Sequence, residues 1–93
     1  MNSVQQQLRG AMSGLKKRYP IAEMALFGSQ ASGQATDKSD VDIMVSFSGP
    51  IGIQFIDLAD ELEQLLGKKV DLITREGLKP RQWEYLKDKM LYV

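Results

Sequence analysis

The sequence predicts a small α+β (α/β-like) domain on a three-stranded mixed sheet, with the element order α-β-(short α)-β-α-β-α. Three observations predict it. Apolar residues recur at helical spacing near the start, the middle and the end of the chain. Short apolar or alternating runs, bounded by Gly, Pro and Ser, separate those helices. The middle helix also joins two such runs and is long enough for a parallel crossover.

Taken in order, residues 3–18 read as an amphipathic helix carrying Val4, Leu8, Ala11, Met12 and Leu15 on one face. Gly10 and Gly14 weaken it by about 1 kcal/mol each relative to alanine, and Pro20 ends it. Residues 21–27, between Pro20 and Gly28, read as a short buried strand. Residues 28–38 are rich in Gly, Ser, Gln, Ala and Thr and read as a loop with one helical turn. In residues 39–47, Val41, Ile43, Val45 and Phe47 alternate, which marks a second strand. The turn Ser48-Gly49-Pro50 follows. Residues 53–66 form the clearest helix, with Phe55, Leu58, Ala59, Leu62, Leu65 and Leu66 on one face and Gly67 as its C′ residue. Lys69 to Thr74 reads as a third strand, and residues 80–92 as a last helix that opens on Pro80 and carries Trp83, Leu86, Met90 and Leu91.

At 93 residues the chain is expected to be one domain, residues 1–93, with no room for a second unit to bind a bulky substrate. Lys and Arg number 12 and Asp and Glu number 12, so nothing points to general attraction to nucleic acid or to an anionic membrane. Cysteine and histidine are absent, which excludes disulfides, thiolate and imidazole metal sites, and nucleophilic triads built on histidine. Any metal would be oxygen-ligated, favouring Mg²⁺, Mn²⁺ or Ca²⁺. No apolar run approaches the roughly 20 residues that span a bilayer. The segment Met1-Asn2-Ser3-Val4-Gln5 lacks the order of a signal peptide. A soluble, cytoplasmic protein is expected.

Two features carry chemistry: Gly28-Ser29 directly after a strand, and Asp40-Val41-Asp42 at the start of the next. Strand residues i and i+2 share a face, so Asp40 and Asp42 are expected to project together, with Cα atoms roughly 6–7 Å apart. Two carboxylates about 5 Å apart repel by roughly 3 kcal/mol at an effective dielectric near 20, a cost that a cation or full solvation relieves. Asp71, near the start of the third strand, joins them if strands two and three run parallel. If strand one runs antiparallel to strand two, its C-terminal Gly28-Ser29 meets the same cluster. Gly28 permits close backbone approach, and Ser29 offers a hydroxyl where backbone N–H groups can face a phosphate. A phosphate-holding turn beside carboxylates calls for a cation between them, the composition of metal-assisted phosphoryl or nucleotidyl transfer.

The stretch Leu26-Phe27-Gly28-Ser29-Gln30-Ala31-Ser32-Gly33-Gln34-Ala35, with Ser39-Asp40-Val41-Asp42-Ile43 and Val70-Asp71-Leu72-Ile73-Thr74, resembles the minimal nucleotidyltransferases of the DNA polymerase β superfamily. The resemblance covers nearly the whole chain and includes the order of elements. It implies the nucleotidyltransferase fold, ATP as substrate and two Mg²⁺ ions. Asp40 and Asp42 would bind both ions, and Asp71 would bind one and help deprotonate the attacking hydroxyl. Gly28 and Ser29, with Ser39 beside them, would hold the nucleotide, and pyrophosphate would leave. Small members of this family pair, as antitoxins, with helical HEPN-domain RNase toxins, and some transfer AMP to a tyrosine of the toxin. The resemblance therefore implies a HEPN-type partner. One departure matters: family members often carry Arg at the position of Ser32, and Lys38 and Arg75 are the candidate replacements.

Each feature has a plainer alternative. Asp40 and Asp42 can be a solvated strand start, Asp71 an exposed strand residue, and Ser29 a strand terminator. Lys16-Lys17-Arg18 fits a solvated helix end that favours the dipole, and Trp83 fits core packing. For the whole chain, the alternatives to an adenylyltransferase are a module that neutralises its partner by contact and a nucleotide sensor.

Overall fold

The computed structural model describes residues 3–36 and 38–93. Expectations touching Met1, Asn2 and Asp37 lie outside the described residues. The elements run α1 (Ser3–Arg18), β1 (Ile21–Phe27), α2 (Ser29–Ser32), β2 (Val41–Phe47), α3 (Gln54–Leu66), β3 (Val70–Thr74), a 3-10 turn (Arg75–Gly77), α4 (Pro80–Leu86) and β4 (Leu91–Tyr92). The radius of gyration is 12.5 Å. Among the described residues no helix is long and apolar enough to cross a membrane.

The sheet has four strands in the order β3-β2-β1-β4, not the three expected. β1 is antiparallel to β2, β2 is parallel to β3 through the α3 crossover, and the added strand β4 is antiparallel to β1. The helix expected over 80–92 stops at Leu86, and the chain turns back to the sheet. The unmet hydrogen-bonding edge of β1 explains this: Val93 N–H donates to the Met24 carbonyl at 3.0 Å. Gln5 and Arg9 of α1 both donate to the Tyr92 carbonyl at 3.5 Å, tying β4 to the first helix.

Strand alternation divides the core between two faces. On one, Val4, Leu8 and Leu15 of α1 and Leu58 and Leu62 of α3 pack against Met24, Leu26, Val41, Ile43, Val45 and Val70. Leu62 is fully buried there, and truncating such a leucine to alanine costs about 2–5 kcal/mol. Arg18 pairs with Glu61 across α1 and α3. On the other face, Ala25, Met44, Leu78 and Met90 pack with Phe27, Ile73, Trp83 and Leu86, so α4 covers this side. Trp83 packs as expected. Asp42 lies two residues before Met44, and Asp71 two before Ile73. Both therefore fall on the α4 face, beyond the end of its apolar cover.

Candidate active site

The serine turn begins where β1 ends. Phe27, the last residue of β1, pairs with Asp42, so the next residue passes over the start of β2. Gly28 has φ 67° and ψ −142°, a region open in practice only to glycine. A Cβ there would lie 2.4 Å from the Asp42 Oδ2 atom. Backbone conformation and packing thus each demand glycine. The Gly28 carbonyl accepts from the Ala31 and Ser32 N–H groups at 3.1 and 3.0 Å. Helix geometry leaves the Ser29 N–H, at the first turn, without an intrahelical acceptor.

Two hydrogen bonds align the carboxylate strands. Val41 N–H donates to the Lys69 carbonyl at 2.9 Å, and Val70 N–H donates to the Glu63 carboxylate at 2.9 Å. The result is a parallel register in which Asp42 faces Asp71 directly. Neighbouring strands lie about 4.8 Å apart, so the two side chains leave the sheet together. Asp40 differs from expectation, because β2 begins at Val41 and Asp40 belongs to the preceding loop. That loop is closed by Ser39, whose hydroxyl accepts from the Thr36 N–H at 2.8 Å and whose own N–H donates to the Thr36 carbonyl at 3.0 Å. The position given to Ser39 by the resemblance is thus a turn that delivers Asp40.

Partial burial, then the charges of Asp71 and of Asp40, push the Asp42 carboxyl above its ordinary pKa. Asp71 and Asp40 therefore both lie close enough to act on Asp42 electrostatically. Among the described residues, no three carboxylates stand as a preformed metal cage. The donor set is nevertheless all carboxylate oxygen, which suits a hard divalent cation such as Mg²⁺, and the mutual repulsion at Asp42 is of the kind a cation relieves.

Beside the serine turn lies a cavity of about 480 Å³, within the usual range for a small-molecule site. Gly28, Ser29 and Ser32 form one wall, and Tyr85, Leu86 and Lys89 another. The second wall was not legible in the sequence, where Tyr85 and Lys89 read as parts of a continuous helix. The Ser32 hydroxyl donates to the Ser29 carbonyl at 3.3 Å and brings no charge. Arg75 does not replace it. This residue follows the far end of β3, about 13 Å along the strand from Asp71, and its guanidinium stacks 3.7 Å from the Trp83 ring centroid. Lys38 is exposed in the loop, its N–H donating to the Thr36 hydroxyl at 3.3 Å.

A glycine-serine turn packed on one of a set of neighbouring aspartates at a sheet end is the arrangement of a phosphate-transferring enzyme. Residues 8–93 match the nucleotidyltransferase domain model, and the chain belongs to that family: it is a nucleotidyltransferase. It is 36% identical over 97 residues to a Methanocaldococcus jannaschii protein provisionally named a protein adenylyltransferase, covering 100% of this chain and 97% of the relative. It is 44% identical over 66 residues to the protein adenylyltransferase MntA of Thermococcus cleftensis, covering 70% of this chain and 67% of that protein. A solved structure described provisionally as a minimal nucleotidyltransferase superposes with a TM-score of 0.81 at 32% identity, covering 98% of this chain and 95% of that one. The fold recurs, at a TM-score of 0.62 and 24% identity, in a toxin–antitoxin crystal structure with AMP-PNP, covering 89% of this chain and 65% of that one.

Proposed function

We propose that this nucleotidyltransferase transfers AMP from Mg²⁺-bound ATP to a hydroxyl of a partner protein, the toxin of a toxin–antitoxin pair, in the cytoplasm, and that the toxin is a helical HEPN-type RNase. The observation that carries the proposal is the register of Asp42 with Asp71, with Gly28 packed on Asp42. Further support for AMP transfer to a protein comes from the names of the two relatives. Support for a toxin partner comes from the toxin–antitoxin structure that shares the fold, and for its HEPN class from the motif resemblance alone.

Asp40, Asp42 and Asp71 would hold Mg²⁺, which when bound screens the triphosphate and lowers the pKa of an acceptor hydroxyl. Gly28 lets the backbone approach the phosphates, and the Ser29 N–H and hydroxyl donate to their oxygens. Asp71 is exposed at the rim, where it accepts the proton of the incoming hydroxyl. The new bond joins that oxygen to the α-phosphorus, the bond to the bridging oxygen breaks, and pyrophosphate leaves. ATP labelled on the α-phosphate, incubated with Mg²⁺, this protein and the helical protein encoded beside it, tests the proposal. Label on the partner, absent with Asp42→Asn, supports it. A partner that stays unlabelled while ATP is bound would refute it.

One observation favours a second reading, neutralisation by contact alone: Ser32 brings no charge to the cavity, and its hydroxyl is engaged within the turn. Asp40→Ala combined with Asp42→Ala separates the two. Neutralisation that survives the double change needs no chemistry.

A further inference from the structure

The second wall of the cavity exists because the chain returns to the sheet after α4. β4 pairs Leu91 with Leu26 and Tyr92 with Ala25. Continuing that antiparallel register by two residues brings position 89 beside position 28, so Lys89 emerges next to the serine turn. The intervening turn is fixed by the Lys87 N–H donating to the Trp83 carbonyl and the Lys89 N–H donating to the Leu86 carbonyl, each at 2.8 Å. The Lys89 ammonium donates to the Tyr85 carbonyl at 3.0 Å and lies 4.1 Å from the Tyr85 ring centroid. Among the described residues the ion pairs are Arg18–Glu61 and Lys87–Glu84, so Lys89 faces the cavity without a carboxylate counterion. The opposite wall, Gly28, Ser29 and Ser32, is uncharged.

From this geometry we infer that Lys89 binds the triphosphate tail of the nucleotide, supplying from the far wall of the cavity the positive charge that Ser32 cannot. The inference rests on the nucleotidyltransferase reading of the site and adds a residue to it. A lysine suits the role as a flexible point charge that reaches phosphate oxygens without a fixed fork geometry. The turn after α4 sets where the ammonium can reach, and the contact with the Tyr85 carbonyl holds it at the cavity mouth. The competing structural role is to cap the last carbonyls of α4, which predicts lost stability and no preference among nucleotides.

Calorimetry of the full chain with Mg²⁺, using ATP and AMP as probes, distinguishes these roles. Lys89→Ala weakens ATP binding by about tenfold or more, the size expected for one charge-assisted contact. AMP, which lacks the β- and γ-phosphates, is affected by less than about twofold on the same grounds. Lys89→Arg restores most of the ATP affinity. If Lys89→Ala leaves ATP affinity unchanged, or weakens ATP and AMP equally, the inference is wrong while the transferase reading stands. If the unsubstituted protein binds no ATP, both fall together.

Discussion

Asp42 and Asp71 occupy matched positions on adjacent parallel strands, so two carboxylates leave the sheet side by side on the face that α4 covers. Burial and the charges of Asp71 and Asp40 raise the Asp42 pKa. The site therefore costs stability when no cation is bound. Asp42→Asn removes one charge at nearly constant volume. Its melting temperature should rise by about 2–4 °C, part of the roughly 4–8 °C that 1 kcal/mol gives in a domain of this size, discounted because the carboxylate is partly exposed to solvent. AMP transfer should fall by about a hundredfold or more, since even residues that only orient a metal ligand cost 10–100-fold. A variant that loses activity and also melts lower would contradict this account.

The same shift fixes the sign of the pH dependence. Asp42 has a folded-state pKa above its ordinary value of 3.8, so the folded protein binds that proton more tightly than the unfolded chain. The associated stability is fully present below the unfolded pKa and is lost as pH rises through the folded value. In metal-free buffer, the advantage of Asp42→Asn over the unsubstituted protein should be near zero at about pH 3 and open as pH rises to neutrality. Melting curves of both proteins across that range check it.

Gly28 and Gly33 both have positive φ, at 67° and 79°, but only Gly28 touches the site. Gly33→Ala adds a Cβ with nothing within 4 Å, so its cost is the left-handed backbone alone, about 1–2 kcal/mol, with transfer retained. Gly28→Ala adds the same kind of backbone penalty and drives a methyl into Asp42. It should melt lower than Gly33→Ala and lose AMP transfer. Equal activity in the two folded variants would show that the approach of Gly28 to Asp42 is incidental.

Much of this site was readable without coordinates. The crossover length of residues 53–66 implied that β2 and β3 are parallel, and that pairing places Asp71 beside Asp42. What escaped was the return of the chain after Leu86. Lys87, Asp88, Lys89 and Met90 all tolerate a helix, and Leu86 and Met90 are spaced as one helical face would require. The edge of β1 needed a partner, though, and strand pairing at Leu91–Tyr92 overrode local propensity. Such competition between distant segments leaves no periodic trace in the sequence. It also displaced Lys89 from an ordinary helix surface into the cavity, while Arg75, attractive by its place in the chain, went to the far end of β3 and onto Trp83.

If the aspartates hold Mg²⁺, the metal must stabilise the fold by mass action, by about 2.7 kcal/mol at a hundred times its dissociation constant. Mg²⁺ with ATP should then raise the melting temperature of the unsubstituted protein. Asp71→Asn, an exposed change on an edge strand, should leave the metal-free melting temperature within about 2 °C and abolish most of that rise. A full Mg²⁺-ATP response in Asp71→Asn would remove Asp71 from the metal site.

Ser32→Arg tests how far the cavity is short of charge. Ser32 is exposed on the wall opposite Lys89, and its hydroxyl bonds only locally within the turn, so an arginine there disturbs little packing. If the triphosphate lies between the two walls, the added guanidinium should strengthen ATP binding. The gain should be smaller than the loss caused by Lys89→Ala, because Lys89 already neutralises part of the phosphate charge and a second cation meets less of it. We expect about a threefold to fivefold gain, equivalent to about 0.6–1 kcal/mol, with AMP binding nearly unchanged. A gain of about a hundredfold would mean that Lys89 contributes little in the unsubstituted protein, and no gain at all would place the phosphates away from the serine turn.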